Sequence, residues 1–203
     1  MALFKNKYRI GSIRASWWDY GWNGAYFITI CTHNRIHYFG EVENGKMNLS
    51  SLGEAAEKCW YEIPLHFPFV RLGSFVVMPD HVHGIIIIDK PWSCDGDLEL
   101  NAAGGEMELQ GIAIPQEQII LQMLRPPPSL ASPGGIPNNR FGPQSKNLAS
   151  IVRGYKIGVT KISKILCPGF RWQSLFHDKI IFNEEAYHRI SYYIETNPEN
   201  WKG

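Results

Sequence analysis

Cysteine is scarce and scattered: Cys31, Cys59, Cys94 and Cys167 stand far apart, with no C-x-x-C spacing. That excludes a zinc ribbon and a disulfide-stapled scaffold, and it fits a reducing, cytoplasmic compartment. No run approaches the roughly 18 apolar residues of a membrane helix. The opening residues, MALFKNKYRIGSIRASWWDY, lack an apolar stretch of signal-peptide length. Neither a membrane partner nor an export signal is expected. Internal repeats are absent. Acidic residues are also missing where they would matter most. From Gln118 to His177 there is no Asp or Glu, while Arg125, Arg140, Lys146, Arg153, Lys156, Lys161, Lys164 and Arg171 all fall there. The acids Asp95, Asp97, Glu99, Glu106, Glu108 and Glu117 lie just before it. Near the N-terminus Lys5, Lys7, Arg9, Arg14 and Arg35 face only Asp19. Two basic segments on a chain of net charge +1 point to a local polyanion site. Two solvated faces are the plainer reading.

What is present reads as one domain over 1–203, long enough for a real core. Ala25–His33 has the aromatic and β-branched character of a strand. Gly40–Leu49 carries Asn44-Gly45, a hairpin turn signal. Ser51-Leu52-Gly53-Glu54 matches a capping box and predicts a helix to about His66. Strands are expected at Pro68–Met78 and Gly84–Asp89, with Pro79 and Asp80 in the turn between them. Pro91–Gln144 is rich in Gly, Pro, Ser and Asn apart from an apolar run at Ile119–Leu124, and is read as a mobile insertion. Asn147–Leu166 predicts a two-faced helix. Leu148, Ile151, Val152, Tyr155, Val159, Ile162 and Leu166 lie on one side, opposite Lys146, Arg153, Lys156, Lys161 and Lys164. A strand at Lys179–Phe182 and a helix capped by Asn183 follow, the helix ending near Pro198. This order implies an α+β fold, a mainly antiparallel sheet with helices packed on one face.

The chemistry-bearing pattern is Pro79-Asp80-His81-Val82-His83-Gly84. In an extended segment, alternate residues share a face, so His81 and His83 present two imidazoles together while Val82 turns to the core. Imidazole suits several divalent metals. A second pattern, Tyr193-Ile194-Glu195-Thr196-Asn197-Pro198, puts Tyr193 and Asn197 at helical neighbour spacing beside the apolar stripe Tyr187, Ile190, Ile194. Two histidines, an amide and a tyrosine could converge on a metal with open positions. A phenol ionises only near a pH of about 10 and is a poor nucleophile unaided. A metal that polarises a phosphodiester would lower the barrier to its attack, and a nearby Lys or Arg would offset the added charge. Each element has a plainer explanation. A histidine pair at a strand end is more often polar turn than ligand. Tyr193 is one of nine tyrosines. Asn197 before Pro198 also reads as a helix stop. Tyr155, inside the basic helix, is the rival nucleophile, although its place on the apolar stripe favours the core. His177 and Asp178 form a second polar cluster.

These residues resemble the REP-associated tyrosine transposases of the HUH single-tyrosine transposase superfamily. The matching segments are GAYFITICTHNR (Gly24–Arg35), VVMPDHVHGIII (Val76–Ile87), NLASIVRGYKIGVTK (Asn147–Lys161), WQSLFHDKII (Trp172–Ile181) and YHRISYYIETNPENW (Tyr187–Trp201). The resemblance implies a ferredoxin-like, RRM-like sheet, a DNA transposase-like nuclease and strand transferase, and Mg²⁺ or Mn²⁺ as cofactor. It implies Tyr193 as nucleophile, with His81, His83 and Asn197 as metal ligands. The substrate would be a single-stranded DNA hairpin, and the products a 5′-phosphotyrosine and a free 3′-OH. Arg9, Arg14, Arg35, Lys146, Arg153, Lys156, Lys161, Lys164 and Arg171 are the expected DNA contacts. A monomer and a homodimer both fit. One departure is Asn183, where many relatives carry Arg. The insertion Pro91–Gln144 lies outside the resemblance. The competing reading is a non-catalytic hairpin-binding module on the same fold, stacking unpaired bases on Trp17, Trp18, Tyr20 and Trp22. A histidine-triad phosphoesterase is disfavoured because Ile85 stands where its third alternate histidine is needed. An H-x-H-x-D-H hydrolase is disfavoured because Ile85 and Ile86 occupy its later ligand positions.

Overall fold

Alternation in the strands builds two apolar layers on one sheet. A computed structural model describes residues 18–90 and 145–202. Arg9, Arg14, Trp17 and the Pro91–Gln144 insertion lie outside the described residues. Strands β1 (Gly24–Cys31), β4 (Val70–Met78), β5 (His81–Ile88) and β6 (His177–Ile181) form an antiparallel sheet in the order β4-β5-β1-β6. Even-numbered residues of the two central strands, among them Tyr26, Ile28, Ile30, Val82, Ile86 and Ile88, point to one face. Helices α1 (Ser51–Tyr61) and α3 (Leu148–Leu166) cover that face with Leu52, Ala56, Trp60, Leu148, Ile151, Tyr155 and Val159. This is the expected sheet with helices on one face, and its strand order is ferredoxin-like. The last helix, α4 (Glu184–Glu195), adds a layer on the opposite face, where Ile190 and Ile194 meet Ala25, Ile85, Ile87 and Ile181. Every residue of β5 is therefore buried, as a central strand covered on both sides requires.

Local chemistry explains the boundaries. Strands β2 (Gly40–Glu43) and β3 (Lys46–Leu49) form the expected hairpin, with Asn44 (φ 52°) and Gly45 (φ 74°) both left-handed as its tight turn demands. The helix expected through His66 breaks after Tyr61. Pro64 cannot donate to a continuing helix, and a short α2 (Ile63–His66) restarts there. Its cap is also displaced by one residue: Ser50, not Ser51, accepts from the Gly53 N–H at 3.1 Å. The cap at Asn147 is reciprocal, closed by Ser150. Strand β5 begins at His81, not Gly84, so both histidines belong to the strand. Strand β6 likewise takes in His177 and Asp178. Trp18 is not an exposed stacking platform. It is 4% exposed and donates its indole N–H to the Tyr26 hydroxyl at 3.0 Å. Tyr20 and Trp22 pack against the same core. Among the described residues, no helix is long and apolar enough to cross a membrane.

Gly84 ties this core to the histidine pair. Its missing side chain lets Trp60 lie directly on the β5 backbone, stacked on Phe75 at 4.3 Å between centroids. A Cβ at Gly84 would stand 2.3 Å from the Trp60 ring. Gly84→Ala is expected to destabilise the fold by about 1–3 kcal/mol through overpacking, measured as a lower urea midpoint. An unchanged midpoint would show that Trp60 yields freely.

Candidate active site

The odd-numbered positions of β5 bring His81 and His83 to the α4 face. Both are nearly sealed, at 4% and 5% exposure, and their Nε2 atoms lie 3.0 Å apart. Each ring is held from behind. The Asp80 carboxylate accepts from His81 Nδ1 at 2.5 Å, and the Thr29 hydroxyl meets His83 Nδ1 at 2.9 Å. The 3.0 Å contact is a hydrogen bond when one Nε2 carries the proton; with the protons on both Nδ1 atoms, both Nε2 lone pairs are available to a cation. Phe27 stacks on the His83 ring at 5.3 Å.

Asp80 is in turn bound by Arg35, whose Nε lies 2.6 Å from Oδ2. Two consecutive non-glycine residues with left-handed backbone, Asn34 (φ 55°) and Arg35 (φ 56°), make the turn that delivers the guanidinium. Arg35 Nη1 also contacts Cys31 Sγ at 2.8 Å. Arg35 was expected at DNA. Its side chain is half-exposed, and its inner edge is committed to Asp80. From the sequence, Asp80 reads only as a turn residue. Its position immediately before the histidine pair was the available signal.

Electrostatics follow this packing. Burial pushes the Asp80 carboxyl upward, but the His81 hydrogen bond and the charges of His81 and Arg35 outweigh it and hold it below the usual carboxylate range. Burial, then the nearby charges of His81 and Arg35, depresses His83 to about 3. His83 is therefore a neutral imidazole at physiological pH, as a ligand must be.

Helix α4 supplies the opposite wall. The Tyr193 hydroxyl lies 3.4 Å from His83 Nε2, with its ring 5.4 Å from His83 and 6.2 Å from Phe27. Tyr193 is 49% exposed, so one side of the phenol is wet. Tyr155, by contrast, sits in the core at 3% exposure, its hydroxyl without a hydrogen bond. Asn197 is 9% exposed and opens a 3₁₀ turn, Pro198–Asn200, that leads to Trp201, whose ring lies 5.8 Å from His81. Among the described residues no three His, Cys, Asp or Glu side chains gather as a metal group; the further donor at this end of α4 is an amide. Two adjacent Nε2 atoms, a neutral His83 and a carboxylate behind His81 fit a divalent cation.

Strand register separates the second polar cluster. Thr29 pairs with both His83 and His177, so His177 shares the site's face, whereas Asp178 pairs with Ile28 and faces the other way. Lys179 pairs with Phe27 and also shares the site's face; it was missed because its face depends on register. Lys146 and Arg171 are exposed at the ends of loops. Arg153, Lys156, Lys161 and Lys164 lie on α3, across the sheet from the histidines.

No protein-family model matches the chain. An uncharacterized protein of Haemophilus influenzae is 33% identical over 192 residues, covering 94% of this chain and 89% of that protein. The chain belongs to the same family as that protein. A solved structure of a REP-associated tyrosine transposase bound to a REP hairpin aligns with a TM-score of 0.53 at 14% identity, over 94% of this chain and 74% of the other. That likeness establishes a shared fold.

With metal removed, the His83 shift makes a pH prediction. Its folded value, about 3, lies below the unfolded 6.5, so the unfolded chain binds more protons in that window. Stability falls as pH drops from near 6.5 toward 3, and the lowered Asp80 adds to the loss at the acidic end. In EDTA, the melting temperature of His83→Gln should fall less than that of the wild type between pH 7 and pH 5. Parallel falls would contradict the burial of a neutral His83.

Proposed function

We propose that the chain is a transposase-like nuclease and strand transferase acting on single-stranded hairpin DNA, with Tyr193 as the nucleophile. The observation that carries this reading is the Tyr193 hydroxyl, half-exposed and 3.4 Å from His83 Nε2 in the buried histidine pair. The fold shared with a tyrosine transposase bound to a hairpin supports it. His81, His83 and Asn197 would hold Mg²⁺ or Mn²⁺. Such a cation, when bound, polarises a phosphodiester for attack.

The chain's own groups set the rest. Asp80 and Thr29 fix the two rings so that their Nε2 atoms face the reacting region. Ile190 and Ile194 seat α4 on the sheet and so position the phenol. The Tyr193 oxygen forms a bond to phosphorus as the bond to the 3′ oxygen breaks, and the phenol's proton ends on the departing 3′-OH. The number of phosphodiester bonds is conserved, so rejoining to another 3′-OH needs no ATP. His177 and Lys179, on the same face, lie where a DNA strand would cross the open part of the sheet. Lys146 and Arg171 are further candidate phosphate contacts.

The test is a denaturing gel with end-labelled hairpin DNA and Mn²⁺. A protease-sensitive adduct is expected from the wild type and from Tyr155→Phe. It should be absent from Tyr193→Phe, which should still bind the hairpin. His81→Ala and added EDTA should also abolish it. An adduct that survives Tyr193→Phe, or cleavage that persists in EDTA, would refute the assignment. Hairpin binding with no adduct in any condition would favour the non-catalytic module.

A further inference from the structure

A groove of about 560 Å³ runs along the outer face of α3, far from the histidine pair in chain path and across the sheet from it. Its walls carry Arg153, Lys156, Lys161 and Lys164, and no carboxylate lines it among the described residues. Among the described ion pairs none involves these four residues. Like charges one turn apart on a helix repel weakly, and a bound anion would offset that repulsion. Arg153 to Lys164 spans about 16 Å of helix.

The floor and rim are apolar. Ile157 is 49% exposed, and Leu175 is 82% exposed. Leu175 is also strained, at φ 68°, a conformation that a branched apolar side chain rarely adopts. Its loop is held there. The half-buried Lys156 donates to the carbonyls of Gln173 (2.9 Å) and Leu175 (2.6 Å), and Gln173 N–H donates to Cys31 O (2.9 Å). Leu175 is thus held strained at the edge of a cationic groove with little packing in return.

We propose that this groove binds unpaired nucleotides, with phosphates on Arg153, Lys161 and Lys164 and base faces against Leu175 and Ile157. The inference rests on the reading of the chain as a single-stranded DNA protein and gives that reading a second contact surface outside the cleavage site. A duplex would leave the apolar rim without a partner, because its base faces are hidden in the stack; unpaired bases expose theirs. Geometry connects the two surfaces. Phe176 lines the groove, and the next residue, His177, opens edge strand β6 on the site's face. A strand leaving the groove reaches Tyr193 by passing around that edge.

The experiment is fluorescence anisotropy on the full chain in EDTA, which keeps cleavage out of the readout. The probes are an oligothymidylate of about twelve nucleotides and a blunt duplex of equal length. Leu175→Gly relieves the strained φ, so the fold is expected to persist. It should weaken oligothymidylate binding about fivefold and leave duplex binding unchanged. Lys161→Glu with Lys164→Glu should weaken binding more than about tenfold and flatten the dependence of log K on log salt by roughly 1.4, about 0.7 per phosphate contact. Wild-type affinity in Leu175→Gly would overturn the proposal. So would equal losses on duplex and single strand in Leu175→Gly, which would mark a surface for polyanions in general. A missing tyrosine adduct would sink the cleavage reading and leave these binding results standing.

Discussion

Holding two imidazole nitrogens 3.0 Å apart inside a sheet is the constraint on which the rest of this face depends. The two nitrogens hydrogen-bond to each other when one carries a proton, and both rings are also held from behind. Here the rear nitrogens are occupied, by Asp80 behind His81 and by Thr29 behind His83. The support continues outward. Arg35 binds Asp80, and the left-handed backbone at Asn34 and Arg35 sets its approach. On the other side of the strand, Trp60 lies against Gly84. The pair is thus fixed by a carboxylate, a hydroxyl and a packed indole, none of which faces the open side where Tyr193 stands.

The two-layer arrangement gives each surface a separate task. One face of the sheet is filled by α1 and α3 and supplies the main core. Among the described residues the other is covered only in part, since α4 packs chiefly on β4 and the smaller cluster of Ala25, Ile85, Ile87 and Ile181. Over β1 and β6, where no described helix packs closely, Phe27, Thr29, His177 and Lys179 share a face. Because β6 is an edge strand, the site's face and the basic side of α3 meet around it.

Much of this was legible in the sequence, for identifiable reasons. The His81-Val82-His83 alternation announces which side chains share a face because the strand period is exactly two residues long. Tyr155 could be assigned to the core because a helical stripe averages over many positions. The i, i+4 spacing of Tyr193 and Asn197 suggested one helix, but α4 ends at Glu195 and Asn197 heads the 3₁₀ turn that follows. What failed was less regular. A one-residue shift of the cap from Ser51 to Ser50, and the break at Pro64, depend on the tertiary path at the helix ends. Trp18 looked exposed beside basic residues, yet its ring is drawn into the core by Tyr26. The roles of Asp80, Arg35 and Lys179 depend on cross-strand register and on a left-handed turn, neither of which composition reveals.

The central claim is that one particular phenol, Tyr193 rather than its neighbour Tyr192, receives the DNA. Tyr192 is 70% exposed and has no comparable approach to the histidines. Tryptic digestion after reaction with hairpin DNA, followed by nuclease trimming, should yield the peptide from Ile190 to Lys202 carrying a nucleotide, and fragment-ion mass spectrometry reads which residue holds it. The account predicts the added mass on Tyr193. The same mass on Tyr192, or on a peptide containing another tyrosine, would contradict it.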